Sequence, residues 1–200
     1  MSRAPLPPFH DDLALCFAEA WRLLVDGAAR GRSGFHLPAL ATLDAAGRPR
    51  VRTVVLRAAD RASGTLRFHC DRRSDKAAEI AVQGACALMA YDAEATVQIR
   101  VEGTATLHTD DAVADAAWAG AQAMSRVCYG IDPGPGTGIA EGGAYALPDA
   151  EAALTLGRPH FAAVLVRAER LDFLHLDRRG HRRAGWRRDG DGWAGSWLVP

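Results

Sequence analysis

The residues best suited to binding chemistry lie between positions 50 and 79, where basic side chains are dense. Period-2 alternation predicts a strand with Arg52 at one end, Arg57 at the other and mainly apolar residues between them. A turn at 62–64, a second strand and a helix whose first turn carries Lys76 follow. Four cations could converge there: Arg52, Arg57, Arg73 and Lys76. With the free N–H groups of a helix N-terminus, they suit a dianionic phosphate.

Arginines at strand ends are also common on solvated edges, so the order of the elements is more informative than their spacing. Strand, turn, strand and a helix opened by S-x-K resembles the flavin-binding segment of the pyridoxamine 5′-phosphate oxidase family, an FMN-binding split β-barrel. The family's R-x-V-L-L-K stands here as R-T-V-V-L-R at 52–57, and its S-R-K as S-D-K at 74–76. The resemblance implies FMN as cofactor, with contacts from Arg52, Thr53, Val54, Val55, Leu56, Arg57, His69, Cys70, Arg73, Ser74 and Lys76.

A later predicted strand, 96–107, carries a polar face formed by Gln98, Arg100 and Glu102. Polar residues on one face of a barrel strand often do no more than meet water. Residues 98–105, Q-I-R-V-E-G-T-A, are nevertheless similar to the family's Q-V-x-V-x-G-x-A strand. That similarity implies that Gln98 contacts the flavin.

The C-terminal region has six arginines among the eleven residues 178–188. Such a run is typical of a solvated face or of a nucleic-acid binder. Its spacing also resembles the family's closing motif, R-L-H-D-R-F-x-Y-x-R followed by a tryptophan and a final L-x-P. The resemblance implies that Arg179 and His181 face the substrate as catalytic residues and that Arg183 faces FMN.

Some departures from the family pattern bear on the substrate. Arg57 replaces a lysine and Asp75 replaces an arginine, while Leu174 stands about where a flavin-stacking tryptophan is expected. Of the Tyr, Arg and Ser that hold the substrate phosphate, only Arg126 is matched, with Tyr129 an unaligned neighbour. We therefore expect pyridoxamine 5′-phosphate to be a poor substrate. The substrate contacts implied are Arg57, Arg126, Arg179 and His181.

The bulk composition favours a folded domain with a small partner. The chain has 200 residues, 48% of them hydrophobic, and a formal net charge of +0, so no global field attracts nucleic acid or membrane. Its four cysteines and seven histidines show no metal-ligand spacing or disulfide pattern, which predicts no metal. No apolar signal core opens the chain and no run approaches the roughly 20 residues that span a bilayer. The expected location is the cytoplasm.

The chain order predicts a single domain over 1–200, mainly β within an α+β class. An amphipathic helix in an N-terminal arm of about residues 1–34 precedes an antiparallel split β-barrel with peripheral helices. The expected strands are 37–44, one ending at Arg57, 65–70, 85–91, 96–107, 160–176 (broken or bulged), 183–188 and 193–199. The expected helices after the arm are 75–83, 110–123 and 148–156, with a glycine-rich loop at 130–143.

Three functions are consistent with these features. The first is an FMN-dependent oxidoreductase acting on a small molecule, with the resemblance implying a homodimer that holds FMN at its interface. The second is a flavin- or haem-binding protein without turnover, because a fold does not fix an activity. The third is a nucleic-acid binder that uses the arginine run.

Overall fold

The computed structural model describes residues 5–200, which form nine strands and five α-helices. The helices are α1 (Leu13–Ala29), α2 (Asp75–Val82), α3 (Ala112–Ala119), α4 (Ala123–Val127) and α5 (Ala152–Gly157). The strands are β1 (Ala39–Leu43), β2 (Pro49–Thr53), β3 (Leu56–Asp60), β4 (Thr65–Asp71), β5 (Ala85–Asp92), β6 (Val97–His108), β7 (Phe161–His175), β8 (Arg182–Asp189) and β9 (Gly192–Leu198).

The nine strands form one antiparallel sheet, which confirms the predicted α+β class but not a closed barrel. The hydrogen-bonded path runs β2-β1-β5-β6-β7-β4-β3, with β8 and β9 added beside β7, and no ladder joins its two ends. Only two isolated backbone hydrogen bonds lie where a closed barrel would need a ladder. The N–H groups of Val54 and Leu56 donate to the carbonyls of Pro38 and His36 at 3.0 and 2.9 Å. The sheet is therefore open.

The predicted continuous strand ending at Arg57 is wrong, because the chain changes partner at Val54 and Val55. β2 pairs with β1, whereas β3 pairs with β4. Val54 is buried at this crossing, so its side chain enters the core where the ladder is interrupted. Arg52 and Arg57 consequently lie on different strands at opposite ends of the sheet path.

The long strand β7 organises the sheet. It pairs with β6 along most of its length, with β4 through its first half and with β8 through its second half. The predicted irregularity is a bulge at Glu169, since Glu102 faces Arg170 and Gly103 faces Ala168. A side chain at Gly103 would collide with the Arg167 carbonyl, so this close approach requires glycine.

The predicted N-terminal helix is confirmed as α1, capped by Asp12, whose carboxylate accepts the Leu15 N–H at 2.9 Å. Its apolar face buries Trp21, and Phe17 packs against the ring of Trp186 on β8. Burial of this face fixes α1 on the sheet.

The other helices are shorter than predicted. α3 ends where Gly120 follows it, instead of reaching 123, and α5 begins at Ala152, instead of 148. The segment predicted as a loop, 130–143, starts with Gly130, the last residue of the short 3₁₀-helix Cys128–Gly130. Residues 131–143 contain no helix or longer strand, as predicted, and Asp132 forms a single bridge to Ala146. Within residues 5–200 no helix is long and apolar enough to cross a membrane.

Candidate functional site

Arg52 is engaged by protein groups and does not present a free charge. Its guanidinium donates to Glu79 Oε2 at 2.6 Å and also to the Thr42 hydroxyl. Thr42 itself donates to Glu79 at 2.5 Å, so the three side chains form a closed network between β1, β2 and α2. Burial would raise the pKa of Glu79, but the hydrogen bonds from Thr42 and Arg52 outweigh it and lower that pKa.

Arg73 is likewise occupied. Its guanidinium donates to the Asp71 carboxylate at 2.6 and 3.0 Å, and to the carbonyls of Tyr129 and Ile131 at 3.3 and 3.0 Å. The hydrogen bonds to Asp71 raise the pKa of Arg73. In this arrangement Arg73 ties the loop after β4 to the start of the 130–143 loop.

Lys76 and the start of α2 form the part of the predicted cradle that remains available. Within residues 5–200, Lys76 has no ion pair, and the backbone N–H groups of Asp75 and Lys76 have no acceptor. Ser74 stands at the N-cap position, but its hydroxyl donates to the Asp71 carbonyl at 2.6 Å instead of capping the helix. An ammonium and two free N–H groups at a helix start suit an anion.

Arg57 is the second available cation, since the only hydrogen bond of its guanidinium within residues 5–200 is a 3.3 Å donation to the Ser125 hydroxyl. Burial raises the pKa of Tyr129, and the positive charge of Arg57 opposes that rise. Burial first, then Arg67 and Arg57, lower the pKa of His69 to about 4, so this imidazole is neutral at physiological pH. The His69 ring packs edge-on against Phe161, and its Nε2 is buried without a partner.

The remaining predicted contacts in this region differ in exposure. Thr53 is exposed on β2, whereas Val54 and Leu56 are buried in the core, which leaves their backbone groups as the only ones that a ligand could reach. Val55 is half-buried. Burial raises the pKa of the Cys70 thiol to about 11, although the nearby Lys76 acts in the opposite direction.

Gln98 and Arg183 lie in one row on the outer face of the sheet, because both face Leu174 across β7. Arg183 donates to the Asp172 carboxylate at 2.9 and 3.0 Å, and Arg100 donates to the same oxygen at 3.1 Å. A groove of about 330 Å³ opens over this cluster. Its lining residues include Arg100, Glu102, Arg170, Asp172, Arg183 and Leu198.

The cradle and the Gln98 row are far apart within one chain. His69 faces Ala163 on β7, while Arg183 faces Leu174, eleven residues further along the same strand. At about 3.3 Å per residue, this amounts to roughly 35 Å along the strand. Within residues 5–200 no hydrogen bond or ion pair joins the two halves of the predicted site.

Arg179 and His181 lie in the exposed loop between β7 and β8. Arg179 donates to both carboxylate oxygens of Asp177 at 2.9 Å, and the Asp177 N–H donates to His181 Nδ1 at 3.2 Å. The hydrogen bonds from Arg179 hold the pKa of Asp177 well below its ordinary value. The loop is thus locally ordered and keeps His181 exposed.

Comparison with known proteins identifies the family. A family model described as the FMN-binding domain of pyridoxamine 5′-phosphate oxidase matches residues 18–109. Over 203 residues, 98% of this chain and 100% of the relative, the chain is 34% identical to the pyridoxine/pyridoxamine 5′-phosphate oxidase of Anaeromyxobacter dehalogenans strain 2CP-C. The chain belongs to the pyridoxamine 5′-phosphate oxidase family.

Solved structures agree with this membership. A pyridoxamine 5′-phosphate oxidase-related, FMN-binding protein of Nostoc punctiforme PCC 73102 is 28% identical with a TM-score of 0.70, over 98% of this chain and 100% of that one. PhzG of Burkholderia lata 383, in complex with tetrahydrophenazine-1-carboxylic acid, is 24% identical with a TM-score of 0.72 over the whole of both chains. At that identity PhzG shows only that the fold is shared.

Arg126, matched by sequence to the family's substrate-phosphate arginine, is hydrogen-bonded to backbone carbonyls in this structure. It donates to the carbonyls of Trp118 and Ala119 at 3.0 and 2.8 Å, and it lies over the Trp118 ring. These bonds satisfy the last carbonyls of α3. The Arg126 guanidinium is therefore engaged at the end of α3.

The C-terminal arginine run is largely compensated within the chain. Arg179, Arg182 and Arg183 each form an ion pair with an aspartate. Arg188 donates to the Ser63 carbonyl at 2.8 Å and lies over the Trp193 ring. These arginines, which would bind nucleic-acid phosphates, are thus already paired with groups of the same chain.

Four carboxylates that pair with predicted site arginines escaped the sequence analysis: Asp71, Glu79, Asp172 and Asp177. Each neutralises an arginine that had been considered alone. Arg170, Asp172 and Leu174 share one face of β7, and only the register with β6 and β8 shows which arginines that face meets.

Proposed function

We propose that this protein is an FMN-dependent oxidoreductase whose FMN phosphate binds at the start of α2. The observation that carries the proposal is the free anion site formed by the Lys76 ammonium and the unpaired N–H groups of Asp75 and Lys76. Arg57, also free of any carboxylate within residues 5–200, is a second available cation, on the strand that pairs with β4 ahead of α2. Charge-assisted bonds of this kind contribute about 1.5–3 kcal/mol each.

The amino-acid usage supports a specific role for this ammonium. Lys76 is the only lysine in the chain, and the other basic residues counted among the 24 are all arginines. A compact, mobile point charge suits a phosphate that is already surrounded by backbone donors, whereas a planar guanidinium demands more room.

Bound FMN would supply the hydride chemistry. The chain's own residues would hold the phosphate through Lys76 and the α2 amides, and would present donors to the ring from Gln98 and Arg183. Donors placed where negative charge accumulates favour the reduced ring. Neutral His69 adds no further positive charge at physiological pH, because its pKa is about 4.

The proposed site is completed by a second subunit. Within residues 5–200 no hydrogen bond or ion pair joins the α2 cradle to Gln98 or Arg183, and His69, on the strand that leads to α2, faces a β7 residue eleven positions from the one that Arg183 faces. The outer face that carries the row is accessible in the isolated chain, with Met89 and Tyr91 exposed. We therefore propose a homodimer in which the cradle of one subunit faces the row of its partner.

An absorption spectrum of the purified protein tests the cofactor directly. We expect a yellow protein with one FMN per subunit, and Lys76→Met should lose most of that flavin. Arg50→Met is the matched control: Arg50 lies near the same helix but faces the carboxylates of Asp75 and Glu79 at 3.9 Å. Equal flavin retention by the wild type and Lys76→Met would contradict the proposed cradle.

The single lysine permits a second test. Reductive methylation labels amines, and Lys76 carries the only side-chain amine in the chain. We expect added FMN to protect Lys76 from labelling, as measured by peptide mass spectrometry, while the α-amino group continues to react. Equal labelling with and without FMN would place the phosphate elsewhere.

The substrate is a separate question, and the activity named for the 34%-identical relative is the second candidate. We predict poor turnover of pyridoxamine 5′-phosphate, because Arg126 is bonded to the α3 carbonyls and Arg57 is left as the free cation of that subsite. Each missing charge-assisted bond costs about 1.5–3 kcal/mol, or one to two orders of magnitude in affinity. An aerobic assay of aldehyde formation checks this, and efficient turnover at micromolar substrate would favour the second candidate.

A further inference from the structure

Asp172 links two arginines that reach it from neighbouring strands. Arg100 on β6, Asp172 on β7 and Gly185 on β8 lie opposite one another in the sheet. Arg183, two residues before Gly185, donates through Nε and Nη2 to Asp172 Oδ2 at 3.0 and 2.9 Å. Arg100 donates to that oxygen at 3.1 Å.

This geometry restricts the direction of the Arg183 side chain. Two donors bonded to one charged oxygen hold the guanidinium at that oxygen by its Nε edge. Gly185 has no side chain between Arg183 and Asp172, and a β-carbon added there would meet the Leu198 side chain at 2.9 Å. Asp172 is itself confined, because its side chain is only 15% exposed. Its second oxygen is buried and has no partner within residues 5–200.

The cluster keeps a positive charge despite the ion pair. Two arginines share one carboxylate, so one net positive charge remains on the outer face, in the row next to Gln98. A single arginine paired with Asp172 would leave no net charge. The arrangement therefore orients Arg183 without cancelling the field of the cluster.

We propose that Asp172 is a positioning residue that holds the Arg183 guanidinium toward the flavin ring. This inference rests on the proposed function, in which Arg183 contacts FMN of the partner subunit. Asp172 acts only through Arg183 and has no contact with the reacting atoms.

The sign of the change in the flavin's midpoint potential separates positioning from simple charge. Asp172→Ala removes a negative charge, which by itself would favour the reduced, anionic ring and raise the potential. If Asp172 positions Arg183, the variant instead loses an oriented cation, and the potential falls as it does in Arg183→Met. We expect about tenfold weaker preference for the reduced flavin, or ~30 mV for a two-electron couple.

Conservative variants protect the experiment against misfolding. Asp172→Asn keeps the volume and one weaker acceptor, so it should give a smaller fall of the same sign. Asp172→Glu keeps the carboxylate and should restore the potential toward that of the wild type. Glu102→Gln is the matched control, because it removes an exposed carboxylate from the same face without an Arg183 contact. The double variant Asp172→Ala/Arg183→Met should shift no further than Arg183→Met alone.

The outcomes distinguish the two claims. An FMN-loaded wild type whose Asp172→Ala variant shows a raised or unchanged potential overturns the positioning role and leaves the proposed function intact. A wild type that binds no FMN, measured by titration at saturating concentration, overturns both.

Discussion

At the scale of single residues, the network of Arg52, Thr42 and Glu79 has a structural effect that is measurable without any ligand. Arg52→Ala would leave the nearly buried Glu79 carboxylate without its main partner. We expect a loss of about 2–4 kcal/mol in the free energy of unfolding, since Arg52 is 20% exposed and solvent offsets part of the buried-pair cost. Urea unfolding followed by circular dichroism measures it.

Arg50→Ala provides the control, because Arg50 is 50% exposed and 3.9 Å from Glu79, and it should cost less than about 1 kcal/mol. The same network makes stability depend on pH. The pKa of Glu79 is lowered from its ordinary value of 4.5, so its contribution is complete above that value and is lost as the pH falls through the folded-state pKa. An acid-unfolding profile unchanged by Glu79→Gln would contradict the network's role.

At the scale of elements, Arg73 connects the loop after β4 to the glycine-rich loop at 130–143. Arg73→Met removes the bonds to the carbonyls of Tyr129 and Ile131 while keeping the length of the side chain. We expect faster backbone hydrogen exchange over 129–146, because few other contacts order a segment this rich in glycine. Exchange measured by mass spectrometry checks this.

Arg72→Met is the control for that loop, because Arg72 is exposed and pairs with Asp110, outside the loop. It should leave exchange at 129–146 unchanged. If Arg73→Met also left it unchanged, the connection between the two loops would lie in packing rather than in these bonds.

At the scale of the whole molecule, a site shared between subunits can be tested by mixing variants. Lys76→Ala damages the proposed cradle, and Gln98→Ala/Arg183→Met damages the proposed ring contacts. In a mixed dimer, one site would combine the intact cradle of the Gln98→Ala/Arg183→Met subunit with the intact ring contacts of the Lys76→Ala subunit. The other site would carry both defects. Random exchange of subunits should restore about a quarter of the wild-type flavin sites.

Flavin retention after mixing, measured by absorbance, gives the answer, and light scattering gives the oligomeric state. No recovery in a mixture shown to exchange subunits would mean that both halves belong to one chain. A monomer that still holds FMN would contradict the dimer as well.

The sequence by itself determined the elements and the family. Period-2 and 3.6-residue patterns gave nearly every strand and helix, because a half-buried element repeats its apolar residues locally. Motif spacing indicated the family, because S-x-K at a helix start and the C-terminal R-x-H-x-R are local in the chain. The sequence also predicted a break or bulge in β7, and the structure assigns it to Glu169.

Only the tertiary structure decided which charges are free. In the sequence, three arginines are basic residues near the predicted site just as Lys76 is: Arg52, Arg73 and Arg126. In the structure, strand pairing, turn geometry and helix packing give them partners, which are Glu79, Asp71 and the α3 carbonyls. The sequence did not reveal the strand break at Val54, because a valine-rich run is compatible with one strand or with two. Register and strand exchange are long-range properties, so they determine where a charge is neutralised and where it remains to bind a ligand.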